Sequence, residues 1–161
     1  MKRHSALIPV SHDHHHGLVL AQRLKRGYSK SPSSDWPDDL LEQRTRVLDF
    51  YRSQLAPHFR AEEDFLFPLA EQYLEDRQIV SELRQEHQDI ESLIDSLRET
   101  QELSEAFAKL GEILERHIRK EESVLFEKMQ ESVPEAELQR AGIGIEEFYA
   151  SVGKESGHTI F

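Results

Sequence analysis

Two stretches of the chain align without a gap, LAPHFRAEEDFLFPLAE at residues 55–71 and LERHIRKEESVLFEKMQ at residues 114–130, and each places a histidine four residues ahead of a glutamate. Seven positions are identical, among them His58 with His117, Glu62 with Glu121, Glu63 with Glu122 and Phe67 with Phe126. Residues four apart on an α-helix stand on one face, about 6 Å apart, so each pair can aim an imidazole nitrogen and a carboxylate oxygen at one centre. A second pair of segments repeats as well. DHHHGLVLAQRL (13–24) aligns with EHQDIESLIDSL (86–97), each opening on an acid followed by a histidine, with Leu20 matched to Leu93 and Leu24 to Leu97.

These polar residues sit in apolar frames. Leu55, His58, Glu62, Leu66 and Leu69 share one helical stripe, and Leu114, His117, Glu121 and Leu125 share another. Burying carboxylates and imidazoles without a counter-charge costs many kcal/mol, which makes them poor choices for a plain core. Two divalent or trivalent cations would supply that charge. One His-x-x-x-Glu on an acidic helix is ordinarily a surface pair, but two in matching frames, with two matching lone histidines, read as a metal site. The chain has no cysteine, so its donors must be nitrogen and oxygen. Glu63 and Glu122 are either half-solvated helix acids or partners of the ligands.

The cluster His12, His14, His15, His16 requires a choice. Only the inward stripe of its helix reaches a bundle centre, and positions seven before Ala21 and ten before Leu24 coincide at His14. The same offsets from Ile94 and Leu97 give His87. His15 shares a face with Gln22 and His16 with Arg23, so both read as exposed or rim residues. His12 falls at the expected helix start, from where it could reach the open end of the pocket. Gly17, standing where the repeat has Ile90, leaves space beside the site as an access path for a small ligand.

The elements that must carry these residues are helices. Four periodic segments are expected at about 11–26, 38–74, 77–99 and 104–131, with Ser11 capping the first and Asp38 or Asp39 the second. Period-two alternation is nearly absent, so the fold class is all-α: four helices with short connections and antiparallel neighbours. Pro57 and Pro68 fall inside the second segment, and a kink at Pro57 would aim His58 inward. GYSKSPSSDWPDD (27–39) reads as a loop, and a further helix is expected after residue 133, before a Gly-rich end. The domain division is 1–132 for the bundle and 133–161 for a C-terminal extension.

Composition narrows the partners. The 161 residues carry a formal charge of −11 and no run of basic residues, which argues against nucleic acid. No apolar run reaches the roughly 18–20 residues of a membrane span, and no secretory signal is evident, so a cytoplasmic location and no membrane partner are expected. Oligomeric state is not legible.

His14, His58-x-x-x-Glu62, His87 and His117-x-x-x-Glu121, followed by LFP and LF, resemble the hemerythrin-like (HHE cation-binding) domain family over about residues 8–132. The resemblance implies an up-down-up-down antiparallel four-helix bundle around a non-haem di-iron centre, oxo- or hydroxo-bridged, with Glu62 and Glu121 as bridging carboxylates. His14, His58, His87 and His117 are then the terminal ligands. Oxygen-carrying members have a second histidine one turn after the third-helix ligand; here that position is Glu91, either a further iron ligand or an ordinary surface acid. As a ligand it would favour the ferric state. The Glu-x-x-His of ferritin-like proteins is absent, since Leu55, Arg84 and Leu114 stand three before the histidines. Zinc could substitute, but six N/O donors with two shareable carboxylates suit higher-coordinate iron better.

Two functional classes follow. The first binds iron and a small ligand (O2, NO or peroxide) for sensing, storage or delivery; the second is a di-iron oxidoreductase acting on peroxide or NO, or repairing damaged iron centres. Binding is favoured over catalysis, because the chain shows no cysteine and no flavin or nucleotide fingerprint for electron entry.

Overall fold

The computed structural model describes residues 1–27 and 36–154; most of the expected 27–39 loop, and the Gly-rich end beyond residue 154, lie outside them. Among the described residues the chain is all-helical, with no strand. Five helices follow in order: α1 (Ile8–Arg26), α2 (residues 40–73), α3 (Gln78–Ser96), α4 (residues 103–132) and α5 (Glu135–Ser151). None is long and apolar enough to cross a membrane.

The start of α1 corrects the expected Ser11 cap. A 3-10 turn at Ser5–Leu7 leads directly into a helix that begins at Ile8, with Pro9 in its first turn. Proline suits that turn because its missing N–H would have had no partner there. His12 is therefore one turn inside the helix, and exposed. Asp39 does cap α2, its carboxylate accepting from the backbone N–H groups of Leu41 and Glu42.

Prolines 57 and 68 do not break α2. Each follows a π-turn, Tyr51–Leu55 and Glu62–Leu66, in which the N–H of Ala56 bonds to the Tyr51 carbonyl and that of Phe67 to the Glu62 carbonyl. The inserted residue moves the carbonyl that a proline ring would otherwise strike. Proline is not the whole cause, since α4 has a third π-turn at Glu121–Leu125 with none following. The turns opening at Glu62 and Glu121 occupy matching places in the repeat. They also rotate the buried face: Leu69, expected inward, is half-buried, and Ala70 takes its place.

Contacts of α4 with α1 and the residues leading into it run in opposite order along the two segments. Arg3 meets Glu122 and Gln130, Gly17 lies against Ile118, and Lys25 pairs with Glu115. The same reversal relates α1 to α2 (Asp13 to His58, Gly27 to Gln43), α2 to α3 (Glu63 to His87, Glu71 to Arg84) and α3 to α4 (Glu82 to Lys120, Glu86 to His117). Helices α1 and α4 come close at Gly111, where a Cβ would lie 2.7 Å from the Ala21 carbonyl oxygen. Valine there would force two helix backbones apart, an overpacking cost of up to about 3 kcal/mol, against a helix-propensity gain below about 1 kcal/mol. Gly111→Val should therefore melt several degrees lower in a thermal denaturation scan.

The core divides into two apolar clusters. One gathers Leu7, Val10, Leu66, Phe67, Leu83, Phe126 and Met129 with residues of α5; the other gathers Leu20, Leu24, Phe59, Ile90, Leu110, Leu114 and Ile118. On each of α1 to α4 the conspicuous histidines and glutamates fall between the two, as a polar layer within the bundle. α5 folds back over the first cluster, with Gly142 against Ala6 and Gly144 against the Phe65 ring.

Candidate metal centre

Six side chains from four helices meet in the polar layer. His14, His58, Glu62 and Glu121 form one group, and Glu62, His87, His117 and Glu121 form a second; within each, the potential ligand atoms lie within 4.8 Å of one another. All six residues are buried, the two glutamates completely. Each glutamate divides its oxygens between the groups. Glu62 turns Oε1 to the Nε2 atoms of His58 and of His14 (3.5 Å), and Oε2 to the Nε2 of His87 (3.3 Å). Glu121 turns Oε2 to His14 Nε2 (2.8 Å) and Oε1 to His117 Nε2 (3.3 Å).

The histidines are held from behind by a closed ring of carboxylates. Each Nδ1 donates to an acid on the preceding helix: His58 to Asp13 Oδ2 (3.0 Å), His87 to Glu63 Oε1 (2.8 Å), His117 to Glu86 Oε2 (2.8 Å), and His14 to Glu122 Oε1 of α4 (2.6 Å). A hydrogen bond at Nδ1 fixes ring orientation and leaves Nε2 facing inward, as a ligand requires. Three of these acids carry cations in turn. Lys154 reaches Asp13 (2.5 Å), Lys120 reaches Glu86 (2.5 Å) and Arg3 reaches Glu122 (2.7 Å).

The electrostatics suit a positive guest. Burial disfavours charge on His14, yet the carboxylates of Glu121, Glu122 and Glu62 outweigh it and hold its pKa well above the usual histidine range. His117 is pushed up to about 9 in the same way, with Glu121, Glu86 and Glu62 overcoming burial. For Glu62 burial acts upward, but the charge of His58, with Glu121 and His14 close by, holds the carboxyl well below its ordinary value. Glu86 and Glu122 are likewise lowered against burial to about 2, the first by His117 and Lys120, the second chiefly by His14. With neutral imidazoles, six carboxylates face three contacting cationic side chains, and negative charge is left over.

The polar atoms themselves test the fit of a metal pair. Both oxygens of Glu62, both of Glu121 and Nε2 of His14 are buried, and among the described residues they face only one another and the Nε2 atoms of His58, His87 and His117. Unsatisfied carboxylate oxygens in a core are costly, and an ion shared between them removes the cost. The Nε2 atoms of His87 and His117 stand 3.1 Å apart, against about 3 Å for two nitrogens at right angles on one ion at roughly 2.1 Å. The residues present fit the group.

Beside the first group is a cavity of about 10 Å³, lined by Gly17, Phe50, Gln54, Leu114 and Ile118 with His14, His16, His58 and His117. That is about the room one water-sized molecule needs. Gly17 borders it, although the expected open space is partly closed: a Cβ on Gly17 would meet Ile118 Cδ1 at 2.7 Å. His16 lies half-buried at the cavity rim and His15 is exposed. Of the other residues considered, Glu91 and His12 belong to neither group. Glu91 is half-buried beside Tyr51, where its charge, after burial, raises the phenol pKa.

Sequence reasoning left Glu63 and Glu122 open and gave Asp13 and Glu86 no role beyond marking the repeat. The signal was present in the acid-histidine dipeptides at 13–14 and 86–87. Its meaning was hidden because each acid serves the histidine of the neighbouring helix and not the one beside it.

A helical bundle with a buried, carboxylate-bridged cluster of histidines defines a cation-binding protein of the all-α class. The Hemerythrin HHE cation binding domain matches residues 8–129, three quarters of the chain, and the chain belongs to that family. No curated protein and no solved structure matches it.

Proposed function

We propose that the chain binds a pair of iron ions, with Glu62 and Glu121 spanning both, His14 and His58 on one, and His87 and His117 on the other. The bundle around them is read as up-down-up-down with four antiparallel helices. The observation that carries this is the division of each glutamate's oxygens between two histidine pairs, with those oxygens otherwise unpaired. Donors of nitrogen and oxygen, with shareable carboxylates, suit iron better than closed four-coordinate zinc. Bound iron would supply redox capacity and open coordination positions for a small ligand. The four carboxylates behind the histidines raise imidazole basicity and so favour the oxidised metal. The cavity beside His14 and His58, with the room of about one water molecule, marks where a small ligand would approach the metal, and we read the function as binding O2, NO or peroxide for sensing, storage or delivery.

Metal analysis with an absorption spectrum tests the reading. About two irons per chain are expected, and mixing the reduced protein with oxygen or peroxide should give one stable spectral change. Repeated consumption of oxidant would assign the chain to oxidoreductases, and fewer than two metal ions per chain would remove the paired site. His14→Ala and His16→Ala separate ligand from neighbour: the first should lose about one metal equivalent, while the second keeps both and alters only ligand access.

A further inference from the structure

The two halves of the site are held unequally. Behind His58, Asp13 accepts from Tyr149 Oη at 2.7 Å and from Lys154 Nζ at 2.5 Å, besides the histidine itself. Both donors come from α5 and its cap, beyond the segment that matches the family. The side chain of Lys154 is fully buried, and Asp13 is 8% exposed. Behind His87, by contrast, Glu63 is 35% exposed and its one hydrogen bond among the described residues is to that histidine. Behind His117, Glu86 is held by Lys120, itself 25% exposed.

The local chain explains how a lysine beyond the end of α5 comes to lie inside. Gly153 has φ +70, and the N–H groups of Gly153 and Lys154 bond back to the carbonyls of Ala150 and Tyr149. This C-terminal cap reverses the chain, which only glycine does freely. It sets the Lys154 ammonium 4.5 Å from the centre of the Tyr149 ring and against Asp13. Buried charge paired in this way is costly to separate, so the contact persists where an exposed pair would exchange with water.

We propose that α5 is a strap on one half of the site: Tyr149 and Lys154 are positioning residues that lock Asp13, and through it His58, making the His14/His58 position slower to give up metal than the His87/His117 position. This rests on the paired-metal reading above. It makes the extension the element that sets the two metals apart.

The test uses the full chain loaded with ferrous iron and a chelator in excess. Release should occur in two phases of about equal size. In Lys154→Met the slow phase should accelerate about tenfold, the effect typical of losing a partner behind a ligand, with the fast phase unchanged. Lys154→Arg should restore most of the difference, and Lys120→Met should quicken only the fast phase. Mössbauer spectra of the loaded Lys154→Met protein should show a change in one iron environment of two. Tyr149→Phe, which keeps the ring and removes only the hydroxyl, gives the same direction of effect should Lys154→Met fold poorly. Equal acceleration of both phases, an unchanged slow phase in Lys154→Met and Tyr149→Phe alike, or single-phase release from the unaltered chain holding two irons would overturn the strap. An unaltered chain holding fewer than two irons would overturn the paired site and the strap with it.

Discussion

A chain carrying Glu62→Ala together with Glu121→Ala should hold no metal above background, and adding iron should leave its melting temperature where it was. The unaltered protein should behave differently. Two sites each filled at one hundred times their dissociation constant add about 5 kcal/mol of stability, which in a domain of this size is a rise of roughly 10–20 °C. The size of the effect follows from where the two carboxylates lie. They are completely buried, and each serves both histidine groups, so removing the pair leaves neither position with an anionic donor. Elemental analysis and thermal melts with and without iron check the result, and unaltered metal content in the double variant would sink the proposal. The metal-free double variant should still fold, because both apolar clusters and the four acids behind the histidines remain.

Stability of the metal-stripped protein should depend on pH in a way that iron abolishes on the alkaline side. His117 is raised from 6.5 to about 9, and His14, His58 and His87 are also raised. A raised histidine adds stability that is fully present below pH 6.5 and is lost as the pH climbs through the folded value, so the stripped protein should weaken between about pH 6.5 and 9. Glu86 and Glu122 are lowered from 4.5 to about 2, and their contribution is present above pH 4.5 and lost as the pH falls towards 2. Melting temperature should therefore be highest between about pH 4.5 and 6.5. In the loaded protein the metal takes the place of the protons on Nε2, and nothing remains to be lost on going to pH 9. Iron uptake at neutral pH should also release protons, which a weakly buffered titration would record. A flat alkaline profile for the stripped protein would contradict this account.

The fold class and the six central residues were legible because both depend on periodicity. His14 could be chosen from four neighbouring histidines by counting back from Ala21 and Leu24, and it is the one that turns inward. Other features do not follow a period. A π-turn adds a single residue to a helix and leaves composition unchanged, so the replacement of Leu69 by Ala70 on the buried face could not be counted out. Ser11 attracted the helix start by residue type, while the 3-10 turn and Pro9 set it earlier through backbone hydrogen bonding. Lys154 falls in the Gly-rich end that follows the expected last helix, where no spacing marks it as buried. Its place under the site depends on the turn at Gly153 together with an acid 141 positions earlier in the chain, a relation no local pattern expresses.

The ring of acids behind the histidines has a sense of rotation. Asp13 of α1 reaches α2, Glu63 of α2 reaches α3, Glu86 of α3 reaches α4, and Glu122 of α4 returns to α1. Each helix gives one link and receives one, so the circuit closes only when the helices follow one another in a single direction around the axis. The bundle of opposite hand could bury the same leucines and phenylalanines, but every acid would then face the wrong neighbour. Sliding any one helix by a turn would open two links at once. The polar layer therefore acts as a lock on topology, choosing between arrangements that hydrophobic burial alone would leave nearly equal.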